Sequence, residues 1–435
     1  MKPGSGAQPR VIAARVLDAV LHRGRSLKSE LAAALPQLPD IRDRALAEAI
    51  CFAALRQRTR YAAALAQWIP APLAKRDDAL RALLYAGFAQ LDPMKLPPHA
   101  ALASTVDAAR ELGRAHQTGL VNALLRRAQR EGLPPQDSSA AWPQWLLARL
   151  RRDWPQQAEA LIAASAEPGP LWLRVNARRG SRDAYAARLR AEGIESFAVE
   201  TLPDALRLDA PISVAALPGF ADGDVSIQDG AAQYVADAWS PPCGARALDA
   251  CAAPGGKSAH VLERDPTLQL TALDADARRL DKARDTLQRL GLDARADLQV
   301  ADVRDIDRWW DGVPFAAVLL DAPCTATGIV RRQPDILLHR RERDLAALIV
   351  LQAELLDACW RAVAAGGALL YATCSILKSE NETQIEAFLA RTPDAEAEPL
   401  DIRFGYISGA GRQRFPSEDG MDGFFYARLR KRIAA

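Results

Sequence analysis

A chain of 435 residues is too long for one ordinary core and implies two or three domains. Hydrophobic residues at 49% and charged residues at 25% exclude a disordered chain, and no apolar run reaches the length of a membrane span. The net charge of +2 conceals a split, because Met1–Arg152 carries +11 and the remainder −9; a basic first third of this kind suits phosphate.

The start, Met1 to Arg10, is polar, contains Pro3 and Pro9, and lacks the apolar stretch of a secretory signal; the expected compartment is the cytoplasm. From about residue 10 to 130 the pattern is helical. Val11, Ala14, Leu17, Val20 and Leu21 follow the helical period, as do Leu80, Leu83, Leu84 and Phe88, and prolines such as Pro36, Pro70 and Pro93 fall between the periodic segments. This predicts an all-α bundle over residues 1–135. Gly132 to Ser139 is a linker by composition. A tryptophan-bearing helical segment follows from Trp142 to Ala164. Then come a strand at Leu171–Asn176, a helix from Ser181 to Gly193 with Ser181 as N-cap, and short strands near Phe197–Val199 and Ala205–Leu208. Residues 140–222 therefore read as a small α/β module.

From about Gly223 to the end, strands and helices alternate. Candidate strands are Ala245–Ala250, Gln269–Leu273, Leu298–Ala301, Ala316–Leu320, Ala368–Ala372 and Phe424–Leu429. This alternation over residues 223–435 predicts an α/β, Rossmann-like domain with a mostly parallel sheet, expected to have seven strands. Ligands of such sheets bind beyond the carboxyl ends of the strands.

The first such end carries Leu248 to Ser258, a strand-to-helix loop with two glycines, and three cofactors compete for it. A nucleotide triphosphate loop fits Gly256-Lys257-Ser258, but Cys251 stands where its first glycine belongs. The Gly-x-Gly-x-x-Gly of a dinucleotide fold is absent. S-adenosylmethionine has a ribose and an adenine but no phosphate. It needs a carboxylate after the second strand, where Asp274 stands, and a polar group after the third, where Asp302 stands.

Cysteine is the second signal. Six are scattered at Cys51, Cys243, Cys251, Cys324, Cys359 and Cys374, with no Cys-x-x-Cys pair and only five histidines in the chain, so neither a disulfide framework nor a metal site is expected. Cys51, Cys243 and Cys359 read as buried core residues, and Cys251 as lining the cofactor loop without reacting. Cys324 follows the fourth strand in Asp321-Ala322-Pro323-Cys324-Thr325, and Cys374 follows the fifth in Thr373-Cys374-Ser375. Two thiols at strand ends on the cofactor side suit covalent catalysis on a pyrimidine. A thiolate adding to carbon 6 of cytosine makes carbon 5 nucleophilic toward a methyl sulfonium. Asp321 is placed to hold the pyrimidine edge.

These motifs resemble those of the RNA 5-methylcytosine methyltransferases, and within them the RsmB (Sun or Fmu) family of bacterial 16S rRNA enzymes. Ser226 to Gln233 resembles that family's lead-in motif and Gly423 to Ala427 its last strand; Gly119 to Arg126 resembles the antitermination factor NusB, as do Asp43-Arg44 and Ala79 to Leu91. The resemblance implies that Cys374 is the nucleophile and that Cys324 assists product release. It also implies that Cys251, Ala252, Ala253, Pro254, Gly255, Gly256, Lys257, Asp274, Asp302 and Asp321 line an S-adenosylmethionine site. Thr325 departs from a frequent serine, and Gln333 from an expected histidine. The expected partner is RNA, specifically 16S rRNA, bound by a monomer with no membrane and no metal. Arg126, Arg127 and Arg130 and, beyond Cys324, Arg331 and Arg332 with Arg340, Arg341 and Arg343 are its expected phosphate contacts. Arg56, Arg58 and Arg60 form a further basic group. The competing readings are a tRNA 5-methylcytosine methyltransferase and a non-catalytic RNA-binding or ribosome-assembly protein. The latter predicts loss of a cysteine or of the cofactor loop, and both are intact.

Overall fold

The structure is a computed structural model that describes residues 6–210 and 212–433; the polar start at residues 1–5 lies outside the described residues. The chain forms two compact units. The first is Met1–Arg151 with Gln156–Pro168 and Val330–Arg340, and the second is Arg152–Pro155 with Gly169–Ile329 and Arg341–Ala435. Among the described residues, no helix is long and apolar enough to cross a membrane.

The first unit is helical. Its elements are α1 (Ala7–Arg23), α2 (Leu27–Ala34), α3 (Ile41–Arg56), α4 (Arg58–Trp68), α5 (Asp78–Leu91), α6 (Pro98–Glu111) and α7 (Thr118–Glu131), followed by α8 (Gln144–Asp153), whose last two residues belong to the second unit, and α9 (Ala158–Ser165). The periodic residues of α5, Leu80, Leu83, Leu84 and Phe88, are all fully buried, as their spacing predicts. They pack with α1, α3, α6 and α7 around one core. The linker is pinned rather than loose. Arg58 donates to the Leu55 and Ala141 carbonyls, and Arg60 to the Leu133 and Pro134 carbonyls. Val330–Arg340 joins this unit from far along the chain. Leu338 packs on the helical core, the Leu27 N–H donates to Asp335 Oδ2 at 3.0 Å, and Arg56 Nη2 donates to the Arg331 carbonyl at 2.8 Å.

The second unit holds two sheets. β1 (Leu171–Val175), β2 (Phe197–Val199), β3 (Leu202–Leu208) and β4 (Val225–Ile227) make an antiparallel sheet in the order β2-β3-β1-β4. The helix α10 (Arg182–Ala191) buries Tyr185 and Leu189 against it. Its N-cap is Ser181, whose hydroxyl accepts from the Ala184 N–H.

The large sheet is built from α11 (Gly230–Trp239), β5 (Arg246–Asp249), α12 (Gly256–Arg264), β6 (Gln269–Asp274), α13 (Ala277–Leu290), β7 (Ala296–Val300), α14 (Ile306–Trp309) and β8 (Phe315–Asp321). After the short α15 (Ile336–His339) of the first unit come α16 (Glu342–Ala362), β9 (Val363–Thr373), α17 (Glu382–Arg391), β10 (Ala395–Glu398), β11 (Tyr406–Ser408), β12 (Gly411–Arg414) and β13 (Phe424–Lys431). The order is β11-β12-β13-β9-β8-β5-β6-β7, with β10 also on β13, and β7, β6, β5, β8 and β9 run parallel. Among the described residues this sheet has nine strands where seven were expected. The extra ones are short antiparallel pieces at one edge, too polar to stand out as strands. Successive residues of the central strands point to opposite faces. Ala247 and Leu319 pack with α11, α12 and α13, while Leu248, Val318 and Leu320 pack with α14, α16 and α17.

Candidate active site

The strand order reverses at β5. β6 and β7 lie on one side of it, and β8 and β9 on the other. Loops leaving β5 and β8 therefore part in opposite directions and open a crevice at their carboxyl ends. A cleft of about 400 Å³ lies there, walled by Cys251 after β5, Asp274 at the end of β6, Asp302 after β7, Asp321 and Cys324 at and after β8, and Cys374 after β9.

The loop after β5 is held tightly. The Ala252 N–H donates to the Leu273 carbonyl at 2.8 Å, and the Ala253 N–H to Asp274 Oδ2 at 3.3 Å. Gly255 has φ 92°, and a Cβ there would lie 3.0 Å from the Ala283 Cα, so both the turn and the approach of α13 require glycine. Asp274 is 4% exposed and also accepts the Asp276 N–H at 3.0 Å. Asp302 pairs with Arg304 at 2.7 Å. Asp249, buried at the end of β5, accepts the Ser258 hydroxyl at 2.6 Å, and burial, aided by the charge of Asp321, pushes its carboxyl up to about 7.

Lys257, in the first turn of α12, reaches across to Asp321 Oδ2 at 2.5 Å and lies 5.4 Å from the centre of the Phe424 ring. Burial works against its ammonium, but Asp321, Cys374 and Asp249 outweigh it and raise its pKa above the ordinary value.

The two cysteine loops meet. Cys324 Sγ and Cys374 Sγ are 3.5 Å apart. The Cys324 thiol is held well above the ordinary thiol range, first by its hydrogen bond with Cys374, then by burial and by the charges of Cys374 and Glu380. Gly328 lets the backbones touch. Its N–H donates to the Cys374 carbonyl at 2.9 Å, and a Cβ on it would lie 2.4 Å from the Gly423 oxygen.

The cleft thus gathers Cys251, Asp274, Asp302, Asp321, Cys324 and Cys374. Ala252, Ala253, Pro254, Gly255 and Gly256 shape the turn rather than the wall, and Lys257 faces Asp321. Sequence reasoning missed Arg279, Val303, Arg304, Leu351 and Leu355 on the same wall. Val303 and Arg304 adjoin Asp302 and could have been included. Leu351 and Leu355, spaced i, i+4 on α16, look like ordinary core. Cys243 departs from its expected burial: it is exposed in the turn before β5, with Sγ 3.5 Å from Thr267 Oγ1. Cys51 and Cys359 are buried.

The arginines separate into two kinds. Arg126 and Arg130 are exposed, whereas Arg127 is half-buried, 5.3 Å from the Trp68 ring centre; Arg127 and Arg130 each pair with Glu131 at 2.7 Å. Arg331 is 3% exposed and Arg332 half-buried, because their segment packs into the helical unit. Arg56 and Arg58 donate to backbone carbonyls, and Arg60 does so while pairing with Asp92 at 2.9 Å.

Comparison with known proteins matches each part of this architecture. Residues 238–430 match the family model of the 16S rRNA methyltransferase RsmB/F, residues 142–215 the RsmF/B-like ferredoxin-like domain, and residues 7–130 the NusB family. The chain is 60% identical over 427 residues to the ribosomal RNA small subunit methyltransferase B of Xanthomonas campestris pv. campestris, covering 98% of each chain. The solved structure of PH0851 shares the fold, with a TM-score of 0.80 at 24% identity over 97% of this chain and 99% of that one. NSun6 from Pyrococcus horikoshii, solved with SFG, has a TM-score of 0.61 at 21% identity over 67% of this chain and 99% of that one. The chain belongs to the ribosomal RNA small subunit methyltransferase B family, the S-adenosylmethionine-dependent methyltransferases of small-subunit rRNA.

Proposed function

We propose that the protein methylates carbon 5 of one cytosine in 16S rRNA through a covalent adduct between Cys374 and carbon 6. The observation that carries this reading is the pair of thiols 3.5 Å apart at one end of the cofactor cleft. A fold kept only to bind RNA has no use for them.

The cleft fits S-adenosylmethionine. Carboxylates at three strand ends and the apolar side chains of Val303, Leu351 and Leu355 suit a ribose and an aromatic ring, and they repel a phosphate chain. Asp274 and Asp302 would hold the ribose and adenine ends, with Cys251 to Lys257 shaping the floor. When bound, the cofactor supplies the methyl group as an electrophile.

The chain's own residues do the rest. Cys374 loses its proton to solvent and its sulfur adds to carbon 6, which shifts the electron pair of the ring double bond to carbon 5. The Lys257 ammonium favours negative charge on the Cys374 sulfur as its bond to carbon 6 forms, while hydrogen bonding to Cys374, burial and the neighbouring charges keep the Cys324 thiol protonated. Asp321, fixed by Lys257, meets the pyrimidine edge. Once carbon 5 carries the methyl group, a base takes its proton, the ring double bond re-forms and Cys374 leaves, with Cys324 beside the departing sulfur. Exposed arginines of the helical unit hold the RNA backbone.

The test is to map 5-methylcytosine in rRNA and tRNA from cells with and without the protein. One cytosine of 16S rRNA should lose its methyl group. A change confined to tRNA favours the tRNA reading, and no change at any cytosine overturns the chemistry.

A further inference from the structure

Six residues beyond Cys374 stands a carboxylate that the reaction above does not use. Glu380 is fully buried, yet among the described residues no lysine, arginine or histidine lies within ion-pair distance of it. Four donors meet it instead. Its Oε1 accepts the Thr325 N–H at 2.8 Å and the Gln352 amide at 3.1 Å, and its Oε2 accepts the hydroxyls of Thr325 and Ser375, each at 2.5 Å. Thr325 directly follows Cys324, and Ser375 directly follows Cys374. The grip continues on both sides. Gln352 also donates to the Pro323 carbonyl at 2.9 Å, so both neighbours of Cys324 are held. Asn381, next to Glu380, accepts the Thr373 hydroxyl at 2.6 Å and donates to the Ser375 carbonyl at 2.9 Å, so both neighbours of Cys374 are held too.

We propose that Glu380 is a positioning residue that ties the two cysteine loops to one carboxylate and so sets the spacing of the two sulfurs. A buried charge is retained only where its hydrogen-bonding needs are met, and the donors that meet them here come from the two segments that must be kept in register. Oε2 alone bridges the two loops, through the hydroxyls of Thr325 and Ser375, while Oε1 fixes the Thr325 backbone and Gln352. The requirement at 325 is for a hydroxyl, which threonine and serine share, so Thr325 in place of serine leaves the clamp intact. The role rests on the reading that Cys374 attacks and Cys324 assists release.

Glu380→Asp keeps the carboxylate and withdraws it by one methylene. With 16S rRNA as substrate, Glu380→Asp should lower kcat by roughly 10- to 100-fold, with KM for RNA and calorimetric affinity for S-adenosylmethionine nearly unchanged. Disulfide formation between Cys324 and Cys374 by the oxidant diamide should slow in parallel. That rate reads the spacing of the sulfurs without the methylation reaction, so it separates failure of the clamp from failure of the proposed chemistry. Thr325→Val removes one hydroxyl donor at nearly constant shape and serves if Glu380→Asp does not fold; it should lower kcat and the cross-linking rate, while Thr325→Ser restores both. Wild-type kcat and cross-linking in Glu380→Asp or in Thr325→Val overturn the proposal. So does a loss of cofactor affinity as large as the loss of kcat, which marks a general collapse of the site.

Discussion

Lys257 Nζ stands 2.5 Å from Asp321 Oδ2, and this ion pair bridges the first turn of α12 and the end of β8. Both side chains are mostly buried, at 19% and 24% exposure, and the lysine depends on Asp321 for its charge. Asp321→Asn leaves the ammonium without its main support. Burial then acts unopposed by Asp321, and the lysine pKa should fall from its raised value. The expected result is a loss of about 10²- to 10⁴-fold in single-turnover methyl transfer and a lower Tm. Thermal denaturation and a rapid-quench assay would measure both, and full activity in the variant would remove Asp321 from the mechanism.

The two thiols should fail in different ways. Cys374→Ser removes the proposed nucleophile, so transfer should stop while S-adenosylmethionine still binds, because the residues proposed to hold the ribose and adenine, Asp274 and Asp302, are untouched. Cys324→Ala leaves the proposed nucleophile and removes the thiol beside it, so a covalent protein–RNA species should accumulate. A denaturing gel with labelled RNA would display it as a retarded band. If the band forms with Cys374→Ala instead, the two roles are exchanged.

Asp249 makes stability pH-dependent in a direction opposite to that of a salt-bridged carboxylate. Its folded pKa of about 7 lies above the ordinary value of 3.8. Between these values the folded chain keeps a proton that the unfolded chain has lost, so stability falls as pH rises from about 4 to about 7, by up to about 1.4 kcal/mol per unit. Above pH 7 both states are ionised and the loss is complete. Asp249→Asn cannot ionise but still accepts the Ser258 hydroxyl. Its Tm should therefore decline less than that of the wild type between pH 5 and pH 8. Parallel Tm curves would show that Asp249 is already ionised at pH 5.

What the sequence made legible was what local pattern controls. Asp274, Asp302 and Asp321 could be placed at successive strand ends because apolar runs alternate with amphipathic helices, and a ligand can meet only one end of such a sheet. Cys324 and Cys374 were legible for the same reason. Glu380 was not, because a lone glutamate in Lys378-Ser379-Glu380 reads as a solvated turn; only the fold brings Thr325, Ser375 and Gln352 around it. Nor was the return of Val330–Arg340 to the helical unit. The Leu27 to Asp335 hydrogen bond joins residues 308 positions apart, and nothing periodic marks such a contact. That same return buries Arg331, which its position after Cys324 had placed among the phosphate contacts.

The arginines of the helical unit provide the last test, since one residue type occupies two environments there. Arg126 and Arg130 are exposed on α7, whereas Arg58 is 7% exposed, is pushed down to about 10 by burial, and donates to the Leu55 and Ala141 carbonyls. A phosphate contact releases counterions, so losing it weakens binding and flattens the dependence of log K on log salt by roughly 0.7 to 0.9. The double variant Arg126→Gln, Arg130→Gln should therefore bind a 16S rRNA fragment more weakly, with a slope shallower by about 1.4 to 1.8 and an unchanged Tm. Arg127 is left out because it is half-buried with its guanidinium over the Trp68 ring. Arg58→Met should do the reverse. It leaves two carbonyls without their donor, which costs about 1–3 kcal/mol of stability, and it should leave the salt slope as it was. Filter binding across salt concentrations, with a Tm for each variant, separates the two roles. A flattened slope in Arg58→Met, or an unchanged one in the double variant, would place the RNA on another face of the unit.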